Sequence, residues 1–599
     1  MKSNRLLCPV VICFCMVCML LFAPVQRNGV QAGNEPILTV DTGGHRGRIQ
    51  DLVVSSDNRY LISASDDKTT RVWDLKTRRE VGKILGQIGP GSEGKIFAVA
   101  LSPDDRWLAV GGFFSPDKGI RIYDFSSGKL HHLLKSHENP VNDLAFSPDG
   151  RVLASGSADK TVKLWAVEDD FRLVRTLEGH KNSVYGVAFL PDNRPLSVGF
   201  DKQLILWKDG RVEKSYDHSH NLKSIAVSKE WIAVSGYQED QQILILDHDL
   251  RLHKTISSPT RPTGLSFSRD GSLLLAGTCT TPRVAIIYEV GDDFREQSRF
   301  SKHDNTVMAT AFLADKTAVT GGGDNKDIYF WKNGKALAHL VGSGRAVWGV
   351  GLDRGGLHWG TTWKGDIKKH INPLEHRFDL SSFALGDSDT SVRRIETRYQ
   401  DWSLSHRKKE GGGYSDVVLV IRNHEQEKAT VTRSSADGVY HRVYGFTADG
   451  KILSGGAHGA LTAYNREGKE LARFIGHTDD VWSLAVEGDR LLSGSDDQTL
   501  KLWDLGELRL GKKKIYPLLN FFAGSDGEWV AWSRSGYYAA SAQGDKYVGF
   551  HVNGGPEKEA QFYPASRFQA SLYRPDIIQA LIRSGSEEEA IRIAGRSRR

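Results

Sequence analysis

SASDDKTTRVWDL (residues 63–75), SGSADKTVKLWAV (155–167), SVGFDKQLILWKD (197–209) and SGSDDQTLKLWDL (493–505) superimpose without gaps. In each, an Asp follows a Ser by four residues and precedes a Trp by six: Ser63, Asp67, Trp73; Ser155, Asp159, Trp165; Ser197, Asp201, Trp207; Ser493, Asp497, Trp503. A His lies 16 to 18 residues before each Ser, at His45, His137, His180 and His477. A looser copy keeps His303, Thr320, Asp324 and Trp331 with one residue inserted. Tyr123, Trp165 and Trp207 sit 42 residues apart, a period that marks an array of small repeated units. Within the units, VNDLAFS (141–147) and TVKLWAV (161–167) alternate as half-buried strands do, and Ser-Pro-Asp-Gly (147–150) reads as a hairpin turn between strands. Four short strands per repeat follow. A lone four-stranded sheet has two faces to bury and two edges to protect, and radial stacking around an axis achieves both.

The spacing resembles that of the WD40 repeat, the β-transducin type. That resemblance implies an all-β fold of tandem β-propellers built from four-stranded blades. It also implies that the His, Ser, Asp and Trp of one repeat form a hydrogen-bonded chain, so these histidines are structural rather than catalytic. A Ser, His and Asp in every blade argues the same way, because no hydrolase needs a nucleophile in each of its repeats. The C-terminal stretch 527–555, with SLYRPDIIQALI (571–582), resembles the segment that closes WD-repeat arrays in some bacterial exported proteins. Several of those continue into a caspase-like peptidase domain, and this chain has none of its signatures.

Seven blades are read in residues 33–343, from about 44–85 to 303–342, several of them degenerate. A second, less regular propeller of about five or six blades is read in 344–555, followed by a helical tail at 556–599 with a short helix near 584–594. Ile37–Val40 precedes the first complete repeat and is expected to be an outer strand closing one of the rings; either ring fits.

Lys2 and Arg5 precede an apolar run from Leu6 to Val25, and Val30-Gln31-Ala32 supplies a cleavage site, so residues 1–32 read as a signal peptide, with an uncleaved anchor as the alternative. The expected location is periplasmic or extracellular. Cleavage removes four of the five cysteines and leaves Cys279, which excludes an internal disulfide. Hydrophobic residues at 39% and charged residues at 25% exclude a disordered chain and a multispanning membrane protein. A net charge of +6 on 599 residues, without a large cluster, argues against a nucleic-acid footprint.

Other chemical signals fail on their own terms. Gly89 to Lys95 has phosphate-loop spacing, but Ile96 replaces the Ser or Thr that would hold magnesium. Asp324, Asn325 and Asp327 read as a solvated turn rather than calcium ligands. The expectation is therefore a non-catalytic scaffold with no metal and no cofactor, whose partners are proteins or peptides. By the resemblance, partners dock through the residue after the first strand's Val or Ile and the residue before the structural Asp. Those positions hold Gln50, Phe97, Asn142, Tyr185, Met308, Trp348, Tyr444 and Trp482, with Asp66, Phe200 and Asp496. The alternatives are a propeller enzyme, hydrolase or lyase, with carboxylates converging on a central channel, or a regulatory partner acting in trans on a caspase-like peptidase.

Overall fold

The computed structural model describes residues 36–596 apart from 90–91, 115–118, 238–239, 280–281, 364–371, 389–393, 409–416, 434–439 and 556–557. The leader lies outside the described residues, as do Pro90 and Gly91 of the glycine-rich stretch. Seven successive four-stranded antiparallel sheets, numbered here as blades 1 to 7, span residues 49–85, 96–134, 141–178, 184–217, 222–257, 262–300 and 307–340. Every sheet is a meander, so each strand pairs with its sequence neighbour and only short turns are needed. The ring closes where Ile49–Val54 of blade 1 packs on Val307–Phe312 of blade 7, with Ile49, Leu52 and Leu61 against Ala309, Ala311 and Val319.

Cores form between blades rather than within them. Val141, Leu144 and Leu153 of blade 3 pack on Ala98, Ala109 and Ile122 of blade 2, and Val184 and Val187 of blade 4 meet Ala154 and Val162 of blade 3. Two-sided burial explains why the second and third strands read as near-continuous apolar runs, whereas outer strands such as Arg211–Asp217 are polar and exposed.

Beyond residue 340 the sheets lose this regularity. Residues 349–387 and 398–431 form four-stranded sheets, 443–474 gains a parallel fifth strand at Lys514–Ile515, and 481–540 forms a six-stranded sheet. Gly349–Leu352 and Val443–Phe446 both pack against Val481–Glu487. Ile37–Val40 pairs antiparallel with Val548–Val552, which pairs in turn with Gln561–Pro564. The N-terminal strand therefore completes the C-terminal part of the molecule, not blade 7, whose four strands all come from residues 307–340. The stretch expected to be a helical tail accordingly opens with a strand. Its last part forms two helices, Pro575–Ser584 and Glu587–Arg596, rather than one. Pro at the start and Gly585 in the left-handed region at the end delimit the first of them. Among the described residues no helix is long and apolar enough to cross a membrane.

Candidate functional site

Four repeats hold the same polar chain. His45 Nδ1 lies 2.9 Å from Asp67 and its Nε2 lies 2.7 Å from Ser63 Oγ, which accepts from Trp73 Nε1 at 2.9 Å. The matching distances are 2.7, 2.8 and 3.0 Å for His137, Ser155, Asp159 and Trp165, and 2.9, 2.8 and 2.8 Å for His180, Ser197, Asp201 and Trp207. His477, Ser493, Asp497 and Trp503 repeat them at 2.8, 2.7 and 2.8 Å. Burial alone would raise the four carboxyls, but the neighbouring imidazole, with hydroxyl and backbone donors, holds all of them below the usual carboxylate range. Each chain ties the second and third strands of its blade to the loop ahead of the first.

Blade 7 departs from this pattern. His303 Nε2 reaches Thr320 at 2.9 Å and Trp331 Nε1 reaches it at 3.1 Å, but His303 Nδ1 is buried without a partner. The inserted residue turns Asp324 away, towards Asn305, so Asp324 does not belong to the chain of bonds. Nor is its turn solvated: Asp324 and Asp327 are both buried, and burial pushes the Asp327 carboxyl up to about 6.

The candidate partner residues share a backbone cause. The first strand of blades 1, 2, 3, 4 and 7 and the strand Val481–Glu487 each carry a β-bulge, at Gln50, Phe97, Asn142, Tyr185, Met308 and Trp482 respectively. An extra residue left out of the ladder is re-aimed by the local kink, which gives the five residues of the first propeller, and Trp482 in the second array, equivalent positions on their blades. Val443–Phe446 has no bulge, since Val443 pairs with Gly455 and Tyr444 with Ser454 in unbroken register. Tyr444 consequently points the other way, buried among Leu404, Leu419 and Phe446 with His406 Nδ1 2.8 Å from its hydroxyl. It is not a rim residue.

Trp348 and Trp482 do meet, with ring centroids 4.8 Å apart, and Trp363 joins them at 4.7 and 5.9 Å. Arg442 lies over the Trp482 ring at 4.4 Å. Trp348 is only 5% exposed, and the cavity the three indoles line is about 50 Å³, far below the ~300 Å³ at which ordinary ligand sites begin. They pack chiefly against one another, around a space too small for an ordinary ligand.

On the first propeller the rim is divided. Gln50 donates to Asp66 at 2.9 Å, and Lys95 stands 3.5 Å from Asp66 and 3.2 Å from His458 Nδ1. Arg48 pairs with Asp480 at 4.0 Å and Lys326 with Asp496 at 3.8 Å. The side formed by blades 1, 2 and 7 thus faces residues 456–498 across a layer of charge that is buried apart from the exposed Arg48. Burial favours a neutral Asp496, pushed up to about 7, while Arg442 and Arg48 outweigh burial at Asp480 and hold it at about 2.

Blades 4 to 6 carry a continuous strip instead. Tyr185 stacks on Phe200 at 3.9 Å with an interplanar angle of 13°, and Phe200 meets Tyr237 at 4.8 Å. Arg261 lies over Tyr237 at 4.8 Å and Lys223 at 5.9 Å. Arg261 Nη2 also approaches Cys279 Sγ at 3.0 Å. Burial, with Arg261 nearby, lowers the Lys223 ammonium to about 8. All three rings keep part of their surface open. Asn142, at the strip's edge, is spent on the Val184 carbonyl at 2.8 Å, and Phe97 and Met308 are half-buried at the rims of blades 2 and 7. Lys223, Tyr237 and Arg261 were not among the sequence candidates. Lys223 follows Leu222 by the rule that selected Tyr185, and its own bulge lies between Leu222 and Ser224; blade 5 hides the signal because it lacks the repeat Trp.

Two acids on the innermost strands could have carried chemistry. Asp51 accepts from Leu52 N at 2.8 Å and Val99 N at 3.0 Å, and Asp143 from Leu144 N at 2.9 Å and Val187 N at 2.8 Å. Each carboxyl bonds its own strand to the first strand of the next blade. Burial pushes Asp51 up to about 7 and, with Asp51 nearby, Asp143 up to about 8. Their oxygens are engaged in joining blades.

Comparison with known proteins agrees with this geometry. The family model for the WD domain, G-beta repeat matches residues 35–74, 82–124, 128–166, 171–208 and 468–504. The WD repeat-containing protein 26 homolog of Arabidopsis thaliana is 22% identical over 407 residues, 67% of this chain and 54% of that protein. The mouse serine-threonine kinase receptor-associated protein is 30% identical over 159 residues, 21% of this chain and 44% of that protein, and the nuclear distribution protein nudF 2 of Penicillium rubens is 28% identical over 148 residues, covering 22% and 31%. The chain thus matches about half the length of these relatives or less. The solved structure of U3-55K matches 48% of this chain and 92% of its own at 20% identity, with a TM-score of 0.42. With the His–Ser–Asp–Trp chain of bonds formed in repeats that the family model matches, the chain carries WD40 repeats, folded as the four-stranded blades of β-propellers.

Proposed function

We propose that the protein is a non-catalytic scaffold that captures a protein or peptide partner on blades 4 to 6 of its first propeller. The observation that carries this is the strip Tyr185–Phe200–Tyr237, stacked within blade 4, continued by a tilted contact to blade 5 and flanked by Arg261 and Lys223. Stacked rings give large contact area at low conformational cost, and the two cations favour a partner segment that pairs an apolar or aromatic anchor with acidic side chains. The opposite side of the same rim is occupied by contacts with the second array, so this sector is where the rim stays available. Export is part of the reading and is supported by the charged-then-apolar leader ending at Val30-Gln31-Ala32. A role beside a caspase-like peptidase in trans is one form such a scaffold takes.

The experiment is quantitative pull-down from the envelope fraction with the mature chain as bait, its N-terminus sequenced. The bait is expected to begin at Gly33. Phe200→Ala is expected to weaken capture of the dominant partner by about 2 kcal/mol, close to thirtyfold, with little change in melting temperature. Equal capture by wild type and by Tyr185→Ala/Phe200→Ala would sink the assignment.

A further inference from the structure

Blade 5 breaks the repeat's polar chain in a way that sets its residues up for something else. His218 stands four residues before Leu222, as His180 stands four before Val184, so it holds the repeat register. Leu246 occupies the place of the Trp and Val234 that of the Ser, because the hairpin between the first two strands is one residue shorter here than in blade 4. In the four intact repeats Nδ1 faces the Asp and Nε2 faces the Ser. Here Nε2 faces Asp240, at 2.9 Å, and no hydroxyl stands where the repeat Ser would be.

A second imidazole lies beside this pair. The ring centroids of His218 and His220 are 5.7 Å apart, and Ser219 Oγ sits 2.9 Å from His220 Nδ1. With Nδ1–H donating to that hydroxyl, His220 presents its Nε2 lone pair outward, the outer-sphere arrangement that fixes a ligating imidazole's tautomer. One nitrogen from each imidazole and one Asp240 oxygen lie within 4.8 Å of one another. Asp240 is 2% exposed, and its carboxyl is seated over Gly236, where any Cβ would collide with it.

We propose that His218, His220 and Asp240 form a divalent transition-metal site suited to zinc. Bonds of about 2.0 to 2.2 Å in tetrahedral array put ligand atoms roughly 3.3 Å apart. The His218–Asp240 contact must therefore open by a few tenths of an ångström as the metal replaces the shared proton. His220 must close by about 1 Å or more, which its exposed side chain allows by rotation. Two imidazoles and a carboxylate suit zinc over magnesium or calcium, and three protein ligands leave a fourth position for water or a donor from outside. The site stands on its own geometry, whatever binds the aromatic strip.

The test is cobalt(II) titration of the chelator-treated full chain, followed by visible absorption, with zinc competition. Wild type is expected to show the absorption bands of a four- or five-coordinate ion at one equivalent, displaced by zinc. His220→Ala, which removes an exposed side chain outside the repeat register, is expected to weaken that binding by at least about tenfold. Its metal-free melting temperature should match wild type, whereas His218→Ala is expected to lower it. Cys279→Ser should leave the spectrum unchanged. Absence of a one-equivalent site, or a site equally strong in His220→Ala, would overturn the proposal.

Discussion

At the scale of the residue, the same histidine does different amounts of work in different blades. His180 holds Asp201 and Ser197 at once, whereas His303 holds Thr320 alone and leaves Nδ1 without a partner. His180→Ala is therefore expected to cost about 1 to 3 kcal/mol, because Asp201 and Ser197 both lose a buried partner, and His303→Ala distinctly less. Denaturant unfolding of the two variants checks this; equal losses would mean that the second bond contributes nothing. The four intact chains could be read from spacing alone, since Ser, Asp and Trp fall at fixed offsets along two strands of one hairpin. The failure in blade 7 is marked in the sequence only by the residue inserted between Asp324 and Trp331, which lengthens the turn that carries the Asp. The orientation of the rim residues could not be read from spacing. It depends on a bulge, and Val443–Phe446 lacks one although HRVYGF resembles its counterparts, so Tyr444 looked equivalent to Trp482 and points the opposite way.

At the scale of the element, the strand Ile37–Val40 shows where local reading stops. Its β-branched Ile37, Thr39 and Val40 favour a strand, but its partner lies about 500 residues away, and no periodicity encodes that pairing. Val40, 3% exposed, packs with Phe522, Val530, Tyr547, Val548 and Phe550, while the next residue, Asp41, pairs with Arg71 at 2.9 Å and with Lys83 of blade 1. One short segment thus joins the two arrays. Val40→Asp places an unpaired charge in that core and is expected to destabilise the C-terminal array by about 3 kcal/mol or more. Hydrogen exchange read by mass spectrometry should show faster exchange in 519–572 and unchanged protection in blades 3 to 6. Uniform loss across the chain would mean that the arrays unfold as one unit.

At the scale of the whole molecule, buried titrating groups set opposing limits on stability. Burial pushes His303 and His441 down to about 3 and His551 to about 4. Unfolding lets them bind protons below about pH 6.5, so stability falls as the pH drops from there towards those folded values. Asp51 and Asp143, raised to about 7 and 8, keep protons that the unfolded chain sheds above about pH 4, so their contribution falls as the pH rises from 4 to 8. The two slopes balance near pH ~6. Melting temperature is expected to peak there, with the alkaline limb flattened in Asp143→Asn; a profile flat from pH 5 to 8 would refute this account. The pairing of Ile37–Val40 with Val548–Val552 has one further consequence, in time. A ribosome adding about 5 to 20 residues per second takes roughly half a minute to two minutes to travel between the two strands. Throughout that interval blades 1 to 7 can close, each on its own sequence, while Ile37–Val40 waits with its edge open for Val548–Val552. The nascent chain is therefore a finished ring trailing a sticky end, and whatever shields that end during synthesis governs how much protein assembles correctly.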